Sequence, residues 1–144
     1  MNAVVAFPQV DNMVANMKTV LVDKIASITQ ALNLGHELRV ATKDLPCDEG
    51  VVLLAEILNN KSTYNTLELT SGRMAKLAKG DVIVGALGHR QALFGYSGHL
   101  PTSVKEGDII QVLNIGGVLG IVESVNPEKG QPFNAKVIGV VLQF

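Results

Sequence analysis

The side chains that could do chemistry crowd into one part of the chain, Gly88-His89-Arg90 and Tyr96-Ser97-Gly98-His99-Leu100-Pro101. Two imidazoles can pass protons near neutral pH. A guanidinium can grip a carboxylate or phosphate through paired hydrogen bonds. The phenol of Tyr96 and the hydroxyl of Ser97 can donate or accept. In a chain otherwise rich in aliphatic residues such groups are costly to bury without partners, so they read as facing solvent or forming a site. The candidate ligand-binding residues are therefore His89, Arg90, Tyr96, Ser97 and His99. His89 and His99 are the candidate acid–base pair should the protein be an enzyme, with Arg90 as the anion clamp. Spacing sets a condition on this reading. Ten residues of fully extended strand span roughly 30 Å, so the two histidines meet only if the segment folds back. The plainer alternative makes both of them turn residues bonded to backbone.

Other chemistries find less support. A metal site would need a third donor from His36, Cys47, Asp48 or Glu49, and no recognised ligand spacing is present, so no metal is expected. No cofactor can be named. Asn114-Ile115-Gly116-Gly117-Val118-Leu119-Gly120 is glycine-rich but lacks a Walker lysine and precedes no helix. It reads either as a phosphate loop or as a bulge or tight hairpin where two backbones approach. Cys47 sits beside Asp48 and Glu49, which disfavour a thiolate. Ser71 and Ser97 lack the nucleophile-elbow context. Tyr64, Asn65, Ser71, Gly72 and Arg73 form a polar loop patch that reads as surface.

The elements that would position these residues are mostly strands. Apolar residues make up 47% of the 144 positions, with four Phe, two Tyr and no Trp. The apolar mass is thus Val, Leu, Ile and Ala, and branched side chains suit a pleated sheet. Strands are expected over residues 38–42, 51–58, 64–69, 81–87, 92–96, 109–115, 118–125 and 135–143, and residues 73–78 read as a strand or a single helical turn. Three segments share one grammar, a polar turn ending in glycine followed by branched aliphatics: Glu49-Gly50-Val51-Val52-Leu53, Lys79-Gly80-Asp81-Val82-Ile83 and Glu106-Gly107-Asp108-Ile109-Ile110. The expected fold is mainly β with one N-terminal α-helix: a small closed or partly closed β-barrel, a meander built from repeated Gly-Asp hairpin units. Closure would remove unpaired edges.

The helix is expected over Val10–Leu34. There Val10, Met13, Val14, Met17, Val20, Leu21, Ile25, Ile28 and Leu32 recur at spacings of three and four, and Gly35 is placed to end it. Met1–Pro8 reads as an edge strand or an arm laid on a neighbour. The chain is read as a single domain, residues 1–35 forming the arm and helix and residues 36–144 the barrel.

The runs VVLLAEIL, VIVGAL and KVIGVVL do not alternate, which implies that both strand faces are covered. One amphipathic helix can cover only part of a barrel exterior, which leaves the rest to another copy or chain; the alternative is that these runs are all core, with the helix lying across them. The leading reading is therefore a non-catalytic accessory or assembly subunit. It forms a homo-oligomer or docks on a partner protein through the apolar exterior and the N-terminal helix, and it binds a small anionic ligand. The alternatives are a small oligomeric enzyme and a weak nucleic-acid-binding barrel. Nucleic acid is not expected as a partner, because 12 basic against 13 acidic side chains supply no basic stripe. No apolar run is long enough for a membrane helix and no targeting segment is evident. One cysteine fits a reducing compartment, and a soluble cytoplasmic protein is expected.

Overall fold

A computed structural model describes residues 17–91, 95–125 and 127–142 of the chain. The fold is mainly β. Its central strand, β4 (Val52–Ile57), pairs antiparallel with β7 (Val82–Leu87) on one side and with β11 (Asn134–Val141) on the other. β7 pairs parallel with β10 (Val118–Ser124), β10 pairs antiparallel with β9 (Ile109–Val112), and β9 pairs antiparallel with β11. The hydrogen-bonded path β4–β7–β10–β9–β11 thus returns to β4. From β11 the sheet runs outward through β3 (Glu37–Ala41) to β1 (Met17–Leu21). From β10 it runs to β8 (Ser97–His99), and the short β2 (Lys24–Ile25) lies parallel to β7. A separate hairpin joins β5 (Thr66–Glu68) to β6 (Met74–Lys76).

Three expectations need correction. The strand order is not that of a meander, since β7/β10 and β2/β7 are parallel and consecutive strands such as β4 and β5 lie in different sheets. The expected helix over Val10–Leu34 is not what its described part forms. From Met17 onward the chain is β1, β2 and a 3₁₀ helix, Ser27–Leu32. That helix ends at Asn33, in the left-handed region at φ 52°, and not at Gly35. β-Branched residues and pairing with β3 outweigh the three-and-four spacing here. The strand expected over residues 92–96 is not found at its described end, because Tyr96 precedes β8. Residues 1–16 and 92–94 lie outside the described residues. So do the proposed Met1–Pro8 arm, the first part of the expected helix and most of that strand.

The non-alternating runs are explained by two apolar clusters on opposite faces of one sheet. Leu53, Ala55 and Ile57 of β4 and Ile83 and Leu87 of β7 point into one, with Ile110, Leu119, Phe133 and Val137. Val52 and Leu54 of β4 and Val84 and Ala86 of β7 point into the other. The second cluster is closed by Val20, Val22, Ile25, Ile28, Leu32 and Leu34. The chain's own residues 20–34 therefore cover this face of β4 and β7, as in the alternative reading of these runs, though not as the expected α-helix. Each fully buried aliphatic side chain contributes on the order of 1.5–3 kcal/mol. Among the described residues no helix is long and apolar enough to cross a membrane.

Gly50, Gly80 and Gly107 stand in equivalent turns. Each has φ near 90°, at 89°, 95° and 91°, where an L side chain is strained. Each donates its N–H to a neighbouring strand, to the carbonyls of Leu87, Ile57 and Val137. Those same residues donate back to the carbonyls of Val51, Asp81 and Asp108. Two residues thus oppose one, the geometry of a glycine bulge. Asp81 and Asp108 also tie their turns through a carboxylate that accepts the N–H of Ala78 and Lys105.

Candidate functional site

The fold-back that the two histidines require is present. Arg90 and Gly98 form an antiparallel bridge, each donating its N–H to the other's carbonyl at 2.9 Å. His89 and His99 are the next pair outward. Beside a doubly hydrogen-bonded pair, the following pair lies about 4.5 Å apart at Cα with its side chains on one face. The Leu100 N–H lies 3.4 Å from His89 Nδ1, which assigns the lone pair to Nδ1 and the proton to Nε2. An open depression of about 470 Å³ is lined by His89, Arg90, Gln91, Gly98, His99 and Glu123.

Glu123 reaches this site through an irregularity in the sheet. Ile121 and Val122 of β10 pair in order with His99 and Gly98 of β8, but the next partner of Ser97 is Ser124. Glu123 is the extra residue. A bulge re-aims a side chain that a regular ladder would direct elsewhere, and here Glu123 Oε1 lies 3.6 Å from His99 Nδ1. Both side chains are about half exposed, so their pairing is screened by water.

Tyr96 lies apart from this depression. Its side chain is buried at 1% exposure, and its hydroxyl accepts from Lys61 Nζ at 2.9 Å and faces the carbonyls of Lys129 and Gly130 at 3.0 and 2.9 Å. Lys61 Nζ also donates to the carbonyls of Lys129 and Gln131 at 2.7 and 2.6 Å. The ammonium stands 5.5 and 5.7 Å from the ring centres of Tyr96 and Phe133. Tyr64 packs edge-on against Tyr96 at 5.8 Å, with Lys129 Nζ 4.5 Å from its ring centre. Burial, with Tyr64 nearby, pushes the Tyr96 phenol up to about 12. Burial and then the charge of Lys129 lower Lys61. Tyr64 is raised by burial, against the opposing charge of Arg90.

The two groups meet at Gly95. A Cβ there would lie 2.6 Å from the Tyr64 hydroxyl and 2.7 Å from the Leu113 carbonyl, so only glycine (φ 84°) lets these groups approach the backbone, while Arg90 Nε, 3.5 Å from the same point, is an ordinary neighbour. Ser97 is half-buried in β8 and does not line the depression. Of the five predicted site residues, the structure brings together His89, Arg90 and His99. It spends the Tyr96 hydroxyl on Lys61 and the 129–130 backbone.

The other chemistry-bearing side chains sit elsewhere in the fold. His36 Nδ1 lies 2.8 Å from the Val22 carbonyl, and the Cys47 thiol faces the Pro101 carbonyl at 3.3 Å. Burial and then Asp48 raise the thiol. Among the described residues, no three His, Cys, Asp or Glu side chains converge in a way that could hold a metal ion. Gly116-Gly117 forms the turn between β9 and β10, with Gly117 at φ 94°. Its carbonyls accept the N–H groups of Ile28 and Ala86, and a Cβ on Gly117 would come within 2.2 Å of Ala26 Cβ. The glycine pair is thus a hairpin packed against the 20–34 segment. Glu123 and Gln91 were missed from sequence, since only the bulge reveals one and only the fold-back the other.

Compared with protein-family models, with curated proteins and with solved structures, the chain gives no significant match.

Proposed function

We propose that the chain is a non-catalytic ligand-binding subunit, built on a small β-barrel, that takes a small anionic ligand in the depression between His89, Arg90 and His99. The observation that carries this reading is the depression itself, lined by His89, Arg90 and His99 because the Arg90–Gly98 bridge folds the segment back and sets both imidazoles on one face. The closed pairing path β4–β7–β10–β9–β11, with one apolar cluster inside it, supports the barrel. Assembly with a second copy or a partner chain is supported by narrower ground than the sequence offered, because residues 20–34 cover the outer face of β4 and β7. What supports it is the terminal strand β1, which among the described residues pairs only with β3, and the exposure of Leu21 at 71% and Ile109 at 54%. Strand edges and exposed aliphatics are common docking features.

The ligand reading is tested by calorimetric titration with inorganic phosphate and with acetate, on the wild type and on Arg90→Gln. Saturable binding that the substitution weakens about tenfold or more is expected for a paired guanidinium contact, and equal heats for both proteins would remove the reading. Sedimentation velocity across a dilution series tests assembly, and a monomer at every concentration would end it.

A second reading, a small enzyme using His89 and His99 as acid and base, is favoured by one observation. Glu123 faces His99 Nδ1, an arrangement that holds a proton there and leaves Nε2 free to accept one.

A further inference from the structure

The lining of the depression carries one charge of each sign. Arg90 is its one guanidinium residue and Glu123 its one carboxylate residue, beside His89, Gln91, Gly98 and His99. The two formal charges cancel. A lining of this kind offers a plain anion little net attraction, and it places a like charge beside it. The carboxylate is not an accident of a regular strand, because Glu123 is the extra residue at the β10 irregularity and its side chain lies against His99. Arg90 is fixed as well, its backbone bridged to Gly98 and its Nε buried close to Gly95. Both residues are thus held by backbone features of the fold-back and of β10.

We infer that the ligand is an amino-carboxylate, a small zwitterion whose carboxylate meets Arg90 and whose ammonium meets Glu123. This rests on the anion-binding reading above and narrows it to a ligand class. The carboxylate can accept two hydrogen bonds from the guanidinium. The ammonium relieves the repulsion that Glu123 would exert on an acetate. Because Glu123 is half exposed, its part in affinity is modest, about threefold, and falls with added salt.

The test is titration of the full chain by amide chemical shifts. The probes are acetate, methylammonium, phosphate and a series of ω-amino acids of increasing length: glycine, β-alanine, 4-aminobutyrate and 6-aminohexanoate. The series supplies the charge separation as a variable. At least one member should bind about threefold more tightly than acetate, shifting the amides of His89, Gly98, His99 and Glu123. Glu123→Gln should remove that preference while leaving acetate binding unchanged or improved. If acetate binds as well as every amino acid, or if the substitution weakens both equally, the inference fails and the anion reading stands. If neither acetate nor phosphate nor any amino acid shifts these amides, the anion reading fails and takes the inference with it.

Discussion

Replacing Tyr96 by Phe isolates the group that ties the 127–132 segment to the body of the sheet. The ring stays, so packing against Tyr64 is kept, and only the hydroxyl is lost. That hydroxyl accepts from Lys61 and lies within hydrogen-bond reach of two carbonyls, of which its single proton serves one at a time. Removing a buried hydroxyl with such partners costs about 1–3 kcal/mol. Lys61 keeps its two carbonyl partners, which holds the loss below that of a stranded charge. The pH dependence gives a second, independent magnitude. The Tyr96 phenol is pushed up to about 12 against an ordinary value near 10. Between these limits the folded chain keeps a proton that the unfolded chain releases. The contribution is fully present below about pH 10 and is lost as pH rises through about 12, up to about 2.7 kcal/mol for a two-unit difference. Lys61, lowered in the fold, works in the opposite direction, so the quantity to read is the gap between wild type and variant. Urea unfolding at about pH 7 should show Tyr96→Phe less stable by about 1–3 kcal/mol, and the gap should close between about pH 10 and 12. A loss under about 0.5 kcal/mol, or a gap that does not change in alkali, would refute this role for the Tyr96 hydroxyl.

Three further outcomes follow from the packing. Gly117→Ala should cost more than about 3 kcal/mol, since its Cβ would overlap Ala26 and its φ is 94°. Gly72→Ala, at φ 86° in open space, should cost only the backbone strain of about 1–2 kcal/mol, and thermal melts of the pair separate contact from strain. Leu53→Ala and Leu54→Ala point into opposite clusters, and each should lose about 2–5 kcal/mol in denaturant unfolding. If only Leu53→Ala is destabilised, the 20–34 segment does not close the second face. The Cys47 thiol, raised by burial and by Asp48, should react slowly with a disulfide reagent near pH 8, and Asp48→Asn should speed the reaction modestly. A rate equal to that of a free thiol would contradict its contact with Pro101.

Much of the strand pattern was legible because glycine turns bracket aliphatic runs. β3, β4, β5, β6, β7, β9, β10 and β11 each fall inside or within a residue of a segment read from composition and turn chemistry. The order of those strands was not legible, since which runs become neighbours depends on contacts far apart in sequence. The N-terminal segment shows a different failure. Val20, Ile25, Ile28 and Leu32 do bury against one cluster, as their spacing implies, but they reach it from two strands and a 3₁₀ helix. Spacing reported which residues face inward and not the backbone that turns them. At the site, residue type singled out His89, Arg90 and His99. Tyr96 was misplaced because a phenol beside a histidine carries no sign of which way it faces, and Glu123 was invisible because a bulge leaves no mark in composition.

The position of β11 in the pairing order has a consequence for how the protein forms. β11 is the last described strand, yet it is the shared neighbour of β3, β4 and β9. Until residues 134–141 arrive, each of those three strands lacks one of its two hydrogen-bonding neighbours. The parallel pairing of β7 with β10 adds a second long-range closure. Folding dominated by such distant pairings runs in roughly milliseconds to seconds, and open aliphatic edges during that interval invite aggregation. Refolding from denaturant should therefore be slow and should lose yield as protein concentration rises. During synthesis, the sheet stays open until residues 134–141 have been made.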